Sequence, residues 1–179
     1  KRIEAVLAEP ASDLPALVRE ECQDLLEQIA EQTTRIEAKT AKARNLARTN
    51  DTARRLQTMP GVGPQTALAI NSFAPPMESF KRGRDFAAWL GITPRQHSSG
   101  GKERIGKMSK MGQRDLRRLL ITGAMAVVRW AVRKGTPEGS WLARMLHKKP
   151  RMLVAVALAN KMARTCWALM AKGGVYQAP

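Results

Sequence analysis

The stretch Leu56-Gln57-Thr58-Met59-Pro60-Gly61-Val62-Gly63-Pro64-Gln65-Thr66-Ala67-Leu68-Ala69-Ile70 decides how the central part of this chain folds. A short helix meets a Pro-Gly-Val-Gly turn, and a second helix opens at Pro64, because proline fits the first position of a helix. This order is typical of a helix-hairpin-helix motif, in which glycines and helix-terminal amides come close to a phosphate. We therefore predict that Gly61, Val62 and Gly63 bind a nucleic-acid backbone without reading its sequence. A plain tight turn between two packed helices is the alternative.

A long helix precedes this turn. From about Leu17 to Arg48 the chain has no Pro or Gly, and apolar residues recur on alternating steps of four and three. The resulting seam consists of Val18, Cys22, Leu25, Ile29, Ile36, Ala43 and Leu46. This spacing predicts a coiled coil, which would join two protomers into a homo-oligomer or fold back on a second helix. The alternative is one amphipathic helix packed on its own domain.

Downstream, the segment Pro94–Arg104 places two serines at a glycine-rich turn among cationic side chains. A serine that attacks a phosphodiester needs such cations around the developing negative charge. We predict that the surrounding basic residues contact nucleic acid: Arg95, Lys102, Arg104, Lys107, Lys110, Arg114, Arg117 and Arg118. A polar loop between helices, without chemistry, is the alternative.

The fold class that follows is mainly α. We expect a coiled-coil-like helical segment at residues 1–50 and a helical domain at residues 51–179, which contains the helix-hairpin-helix and the Gly/Ser-rich loop. Periodic apolar positions predict helices at about residues 80–90, 113–133, 140–147 and 150–171, with the serine segment as a loop or short hairpin packed on them.

Charge is divided unevenly along the chain. Residues 1–80 carry 10 Lys or Arg and 11 Asp or Glu, whereas residues 81–179 carry 21 and 4, which gives the second half a net charge of +17. A basic surface gains affinity for nucleic acid by releasing counterions from its phosphates. Four tryptophans among regularly spaced aliphatic residues indicate a folded body rather than a solvated basic tail. The leading partner is therefore nucleic acid.

Further features of the sequence argue against a metal-binding, disulfide-stabilised or membrane protein. Cys22 and Cys166 show no spacing typical of a zinc site or a disulfide framework. The longest apolar run, Met152–Ala159, is too short to span a bilayer, and no signal peptide precedes the body. The carboxylates near Glu20 and Glu27 are spaced like a solvated helix face, so we predict no metal site among them. We expect a cytoplasmic protein without a membrane partner.

Four segments, taken in order, resemble one family. They are Met59–Gly63, Trp89–Lys102, Ser109–Leu120 and Val154–Arg164. Together they look like the C-terminal half of an insertion-sequence transposase of the IS110 family, in its IS1111 branch, with a domain of the Transposase 20 type. The resemblance covers roughly residues 56–176, and four motifs in order are more specific than any single one.

That resemblance implies a DNA recombinase with two halves. An upstream RuvC-like domain would hold a divalent metal such as Mg²⁺ through an Asp/Glu/Asp/Asp cluster, and a downstream domain would carry a nucleophilic serine. The serine directly before glycine matches Ser99, with Ser98 as the alternative that physical grounds alone do not separate. The resemblance also implies an element-encoded RNA that bridges donor and target DNA. Only the second half matches this chain, so we expect it to bind no cofactor and to be inactive by itself.

Three functions stay open from the residues. The chain is the serine-bearing part of a transposase, a non-catalytic clamp on nucleic acid, or an assembly module that pairs protomers through its N-terminal helix. His97 adjoins the serines and is either a general base or a phosphate or backbone contact.

Overall fold

The computed structural model describes residues 2–9 and 13–177. The chain forms two compact units, Lys1–Ala43 and Arg44–Pro179. Residues 1 and 10–12, which belong to the predicted coiled-coil segment, lie outside the described residues, as do residues 178 and 179.

The structure is mainly helical, which confirms the predicted fold class. The described sheet consists of two antiparallel strands. In chain order the elements are α1 (Arg2–Ala8), α2 (Ala16–Thr49), α3 (Asp51–Gln57), α4 (Pro64–Phe73), a 3₁₀ turn (Met77–Ser79), α5 (Gly83–Trp89), β1 (Pro94–Gln96), β2 (Ile105–Met108), α6 (Arg114–Lys134), α7 (Trp141–Lys148) and α8 (Arg151–Lys172).

Helix α2 is continuous over 34 residues and contains the whole predicted range. Its apolar side chains stay largely exposed: Leu25 is 55%, Ile29 61% and Ile36 62% accessible. A helix with such an apolar seam gains stability by covering it. The coiled coil that would cover it stays a prediction.

Local sequence determines where the shorter helices begin and end. The Asn50 side chain accepts the Ala53 amide at 2.8 Å and caps α3, and the Ser140 hydroxyl accepts the Ala143 amide at 3.2 Å and caps α7. Side-chain oxygens of this kind satisfy first-turn amides that have no carbonyl partner. Helices α6 and α8 each end at a glycine. Gly135 follows α6 with a φ of 89°, and Gly173 follows α8 with a φ of 78°, a left-handed conformation that glycine adopts easily.

Helix α8 lies at the centre of the second unit and packs against α3, α5, α6 and α7. Phe86 and Leu120 are fully buried beside it, and Phe86 stacks on Trp89 with ring centroids 5.7 Å apart. The apolar sides of several amphipathic helices therefore share one core around α8.

By length and composition alone, α8 is the one described helix that could cross a membrane, with a mean hydropathy of 1.2. The central helix of a protein core passes the same test, and Val154, Ala159 and Cys166 of α8 are fully buried within the second unit. Burial also raises the pKa of the Cys166 thiol to about 12, because an apolar surrounding disfavours the thiolate. We therefore interpret α8 as a core helix.

Candidate serine hairpin and nucleic-acid interface

The Pro-Gly-Val-Gly turn, residues 60–63, packs against helix α6. Gly61 has a φ of 87°, and a Cβ placed on it would lie 2.9 Å from the Gly123 carbonyl oxygen. A Cβ on Gly123 would lie 2.0 Å from the Gly61 carbonyl oxygen. Two glycines thus let the backbones of the turn and the helix touch. Val62 is 5% exposed, so its side chain belongs to the core.

Gly63 is the part of this turn that stays open. It is exposed, and no atom lies within 4 Å of where its Cβ would be. It precedes α4, whose first-turn amides at Gln65 and Thr66 have no carbonyl partner within the helix. A phosphate at this turn would therefore meet the Gly63 end, because the Gly61 and Val62 side of the turn is taken up by packing.

The serine segment forms a β-hairpin. Strands β1 and β2 pair in register at Pro94 with Met108 and at Gln96 with Ile105, so β2 contains one extra residue. Near the tip, Ser99 and Lys102 form a further antiparallel bridge around the two-residue turn Gly100-Gly101, whose φ values are 56° and 78°. Positive φ at both positions is the requirement of a type I′ turn, which glycine satisfies without strain.

The two serines differ in their hydrogen bonds. The Ser98 hydroxyl accepts the Arg104 amide at 3.1 Å and donates to the Gln96 side-chain oxygen at 3.2 Å. Ser98 therefore ties the two arms of the hairpin together. The Ser99 hydroxyl has no hydrogen-bond partner among the residues that the structure describes, and it lies exposed beside the tip turn.

One cationic side chain faces the free hydroxyl, and others lie further along the hairpin. Lys102 lies directly opposite Ser99 in the bridge, and residues opposite each other on antiparallel strands project to the same face. Arg104, Lys107 and Lys110 are also exposed, and none of these four cations has an ion pair in the described part of the chain. Their charge is available to a polyanion.

The base of the hairpin is held by a close crossing of two backbones. A Cβ on Gly112 would lie 2.0 Å from the Trp89 carbonyl oxygen, and one on Gly91 would lie 2.6 Å from the Met111 carbonyl oxygen. Arg117 reaches into this crossing and donates to the Leu90 carbonyl at 2.9 Å and to the Gly112 carbonyl at 3.4 Å. The hairpin thus projects from a packed base.

The predicted basic residues fall into two groups. Arg117 is half-buried and directed at backbone carbonyls, and Arg95 donates to the Ser109 carbonyl at 3.3 Å. Arg114 and Arg118 are exposed at the start of α6, close in sequence to the hairpin base. The structure therefore brings hairpin and α6 cations to one region, but it gives Arg117 a bracing contact that the sequence did not indicate.

The His97 imidazole lies against Gly106 on the facing strand. A Cβ on Gly106 would lie 2.7 Å from both Cδ2 and Nε2 of the ring, so glycine makes room for it. The His97 amide donates to the Arg104 carbonyl at 2.8 Å. Within the described hairpin no hydrogen bond joins His97 to Ser98 or Ser99.

The described residues contain no group of three or more His, Cys, Asp or Glu that could hold a metal ion. They therefore do not fit the divalent ion that the family resemblance implies, and any such ion would be held by other residues.

Beside the hairpin lies a cavity of about 620 Å³ that our sequence analysis missed. One wall is formed by the hairpin and includes Ile105 and Lys107, and the other is formed by α8 and includes Asn160 and Arg164. Trp141 of α7 also lines the cavity. The sequence signal was the period of α8, which places Leu153, Val156, Ala157, Asn160 and Arg164 on one face. That pattern does not reveal what the face meets.

Comparison with known proteins places part of this chain in a described family. The model of the "Transposase IS116/IS110/IS902 family" matches residues 53–137, a range that contains the turn, the hairpin and α6.

Individual relatives match nearly the whole chain. A "Probable family 20 transposase" of Pseudomonas aeruginosa is 40% identical over 175 residues, which is 98% of this chain and 52% of that protein. A "Putative transposase y4pF/y4sB" of Sinorhizobium fredii is 41% identical over 184 residues, covering 98% of this chain and 46% of its own length. The "Transposase for insertion sequence element IS1111A" of Coxiella burnetii is 39% identical over 132 residues, covering 74% and 36%. The chain thus spans about half the length of the first two.

Proposed function

We propose that this chain, whose residues 53–137 form a transposase domain of the IS116/IS110/IS902 family, is the serine-bearing, DNA-binding part of an enzyme that moves an insertion sequence. In this proposal Ser99 cuts a DNA strand and holds its end until the strand is rejoined. One observation carries the assignment: the Ser99 hydroxyl is exposed and unpartnered among the described residues, opposite Lys102 at the tip of the hairpin.

The chemistry is a pair of transesterifications. Ser99 Oγ forms a bond to the phosphorus as the bond from phosphorus to one deoxyribose oxygen breaks. The serine gives up its proton, and the released oxygen takes one up, so no net proton is consumed. A deoxyribose hydroxyl of another strand then attacks the phosphoserine and restores Ser99. Each step exchanges one phosphate ester for another and needs no external energy source.

The cations around the hairpin would stabilise the phosphorane. Its extra negative charge develops on the non-bridging oxygens, where fixed ammonium and guanidinium groups act most strongly. Lys102 lies on the same face as Ser99. Arg104 directly precedes β2, and Lys107 lies within it. The hydrogen bonds of Ser98 favour a different role for that residue, which is to hold the hairpin in the shape that presents Ser99.

DNA would also be held at the turn between α3 and α4. We assign a sequence-independent phosphate contact to the amides of Gly63 and Gln65, at the positive end of α4. The proposed contact involves fewer residues of the turn than the sequence predicted, because Gly61 packs against α6 and Val62 is buried in the core.

We further propose that the same basic surface binds an RNA of the element, and that α2 joins protomers. The net charge of +17 in residues 81–179 supports the first idea, and the exposed seam of α2 supports the second. Excess RNA should compete with DNA for the chain. A chain truncated before Asp51 should sediment as a smaller oligomer; an unchanged oligomeric state would reject pairing through α2.

The decisive experiment is a strand-exchange assay of the full-length protein, with Ser99→Ala and Ser98→Ala as a matched pair. We expect Ser99→Ala to abolish exchange and the covalent protein–DNA species, while DNA binding at matched salt is retained. Ser98→Ala should keep the covalent species. If both variants still recombine, the serine hairpin is a DNA clamp and the chemistry lies in other residues. That non-catalytic clamp is the second candidate, and the exposed, unpaired cations support it equally.

A further inference from the structure

The cavity between the hairpin and α8 combines apolar walls with unused polar groups. Val156 and Ile105 supply apolar surface from its two sides, and Trp141 adds an aromatic ring to the lining. The Asn160 side chain, half-buried in this wall, has no hydrogen-bond partner among the described residues. Its donor and acceptor atoms are therefore free to bind water or a ligand.

The charge around the cavity has one sign. Lys107 and Arg164 lie on opposite walls, and no carboxylate is among the described residues that line it. Neither cation has an ion pair in the described part of the chain. An occupant that carries negative charge and an apolar ring therefore fits better than a lipid tail or a peptide with few acidic residues.

The Trp141 ring is available to such an occupant. Lys161 lies over this ring at 5.2 Å from the centroid, but Lys161 lines the neighbouring cavity and not this one. Trp141 thus lines both cavities, whereas Lys161 lines only the neighbouring one. Aromatic faces of this kind bind nucleobases by stacking, with little regard to sequence.

We propose that this cavity holds one unstacked nucleobase of the strand whose phosphate reaches Ser99. The base would stack on Trp141, hydrogen-bond to the Asn160 amide and leave its flanking phosphates to Lys107 and Arg164. This inference rests on the proposed function, because it needs DNA at the hairpin. Since one wall is the hairpin itself, an occupied cavity would fix the hairpin, and with it the position of Ser99, relative to the strand.

The volume supports a ligand of that class. Pockets for small ligands typically enclose several hundred Å³ and combine apolar walls with a few polar groups, and about 620 Å³ lies in that range. A base in this cavity must first leave its stack, so single-stranded, mismatched or already unwound DNA should enter most readily.

The test compares two probes on the 179-residue chain: a single-stranded deoxy-oligonucleotide of mixed sequence, and the same backbone in which every base is removed. Fluorescence anisotropy gives both affinities at one salt concentration. We expect the base-bearing strand to bind about tenfold more tightly. Asn160→Ala should reduce that ratio several-fold, and Ala157→Phe, which places a ring in the cavity, should bring it near one.

Arg118→Ala is the matched control. It removes an exposed cation that does not line the cavity, so it should weaken both probes by the same factor and leave their ratio unchanged. If Ala157→Phe fails to fold by circular dichroism, Asn160→Ala alone decides.

Three results would overturn the inference. A ratio near one in the unaltered chain would mean that no base is bound. Equal losses for both probes in Asn160→Ala would place Asn160 outside a base site. A smaller sedimenting species for Ala157→Phe would show that the cavity is an interface between copies. If neither probe binds at all, the proposed function itself fails, which separates the two failures.

Discussion

Two glycine-bearing segments of this chain have opposite uses for their glycines. In the turn at residues 60–63, Gly61 meets Gly123 so closely that neither position has room for a methyl group. At the tip of the hairpin, Gly100 and Gly101 have no atom within 4 Å of where a Cβ would lie. Glycine serves close packing in the first segment and a left-handed turn in open solvent in the second.

The comparison teaches that a glycine-rich stretch does not by itself indicate a phosphate site. Both segments gave the same prediction from sequence, because both combine glycine with a following basic or helical element. The turn at residues 60–63 leaves only Gly63 free, whereas the whole hairpin tip projects into solvent with Ser99 and Lys102 beside it. Substitutions can separate these two uses.

The largest effect should come from Gly123→Ala. Alanine favours a helix over glycine by about 1 kcal/mol, so propensity alone predicts stabilisation. We expect instead a loss of about 3 kcal/mol or more in the free energy of unfolding, because the new Cβ would lie 2.0 Å from the Gly61 carbonyl oxygen. Urea denaturation measures it, with Gly63→Ala as control. A stabilised Gly123→Ala would show that the turn is not packed on α6.

The next effect concerns the base of the hairpin. Arg117→Ala removes two hydrogen bonds to backbone carbonyls, and we expect it to lower the free energy of unfolding by about 2 kcal/mol. Arg118→Ala, one residue later and exposed, should leave stability unchanged and reduce the salt dependence of DNA binding. If Arg117→Ala changed only the salt dependence of DNA binding and Arg118→Ala changed only stability, Arg117, and not Arg118, would be the residue that contacts DNA.

A smaller effect tests the core that lies behind the turn. Met162 of α8 contacts the Gly61 position, and Cys166 lies one helical turn further along. Burial raises the pKa of the Cys166 thiol from 9.0 to about 12, so this thiol ionises in the unfolded chain at a lower pH than in the folded one. Stability should therefore fall between pH 8 and pH 10 by about 1.4 kcal/mol more than in Cys166→Ala. Equal pH dependence of the two proteins would contradict the burial of this thiol.

The smallest effect should be at the hairpin tip. In Gly100→Ala the new Cβ would contact no atom, but alanine would have to adopt a positive φ, which costs about 1 kcal/mol. The hairpin opens locally, so we expect about fivefold faster hydrogen exchange of the His97 amide and little change in global stability. Gly100→Asn is the matched control, because asparagine tolerates this conformation better. A large global loss would show that the tip is packed.

The helices were predictable from particular residues. An uninterrupted run without Pro or Gly predicted α2, and Pro64 and Pro150 marked the starts of α4 and α8. The serine hairpin was predicted only as a loop or a short hairpin, because strands of three and four residues carry a weak periodic signal. Gly123 lies within α6, and a glycine inside a helix often marks a close backbone approach.

The candidate site was predictable in composition but not in arrangement. The sequence could not separate Ser98 from Ser99, since both lie in one turn. Their different hydrogen bonds depend on which residues face each other across the hairpin, and the sequence does not fix that register. The sequence did not indicate Asn160 of α8 or Trp141 of α7, because they line one cavity with the hairpin only in the folded structure.

The sequence alone determined that this chain is mainly helical, that its second half is strongly basic, and that its ordered motifs resemble one transposase family. Those properties depend on local periodicity, residue charge and motif order, all of which can be read along the chain. The tertiary structure alone decided that Gly61 packs inward, that Arg117 braces the hairpin and that Ser99 stays free opposite Lys102. These outcomes depend on which backbones meet, and contacts between residues far apart in sequence are fixed only when the core closes.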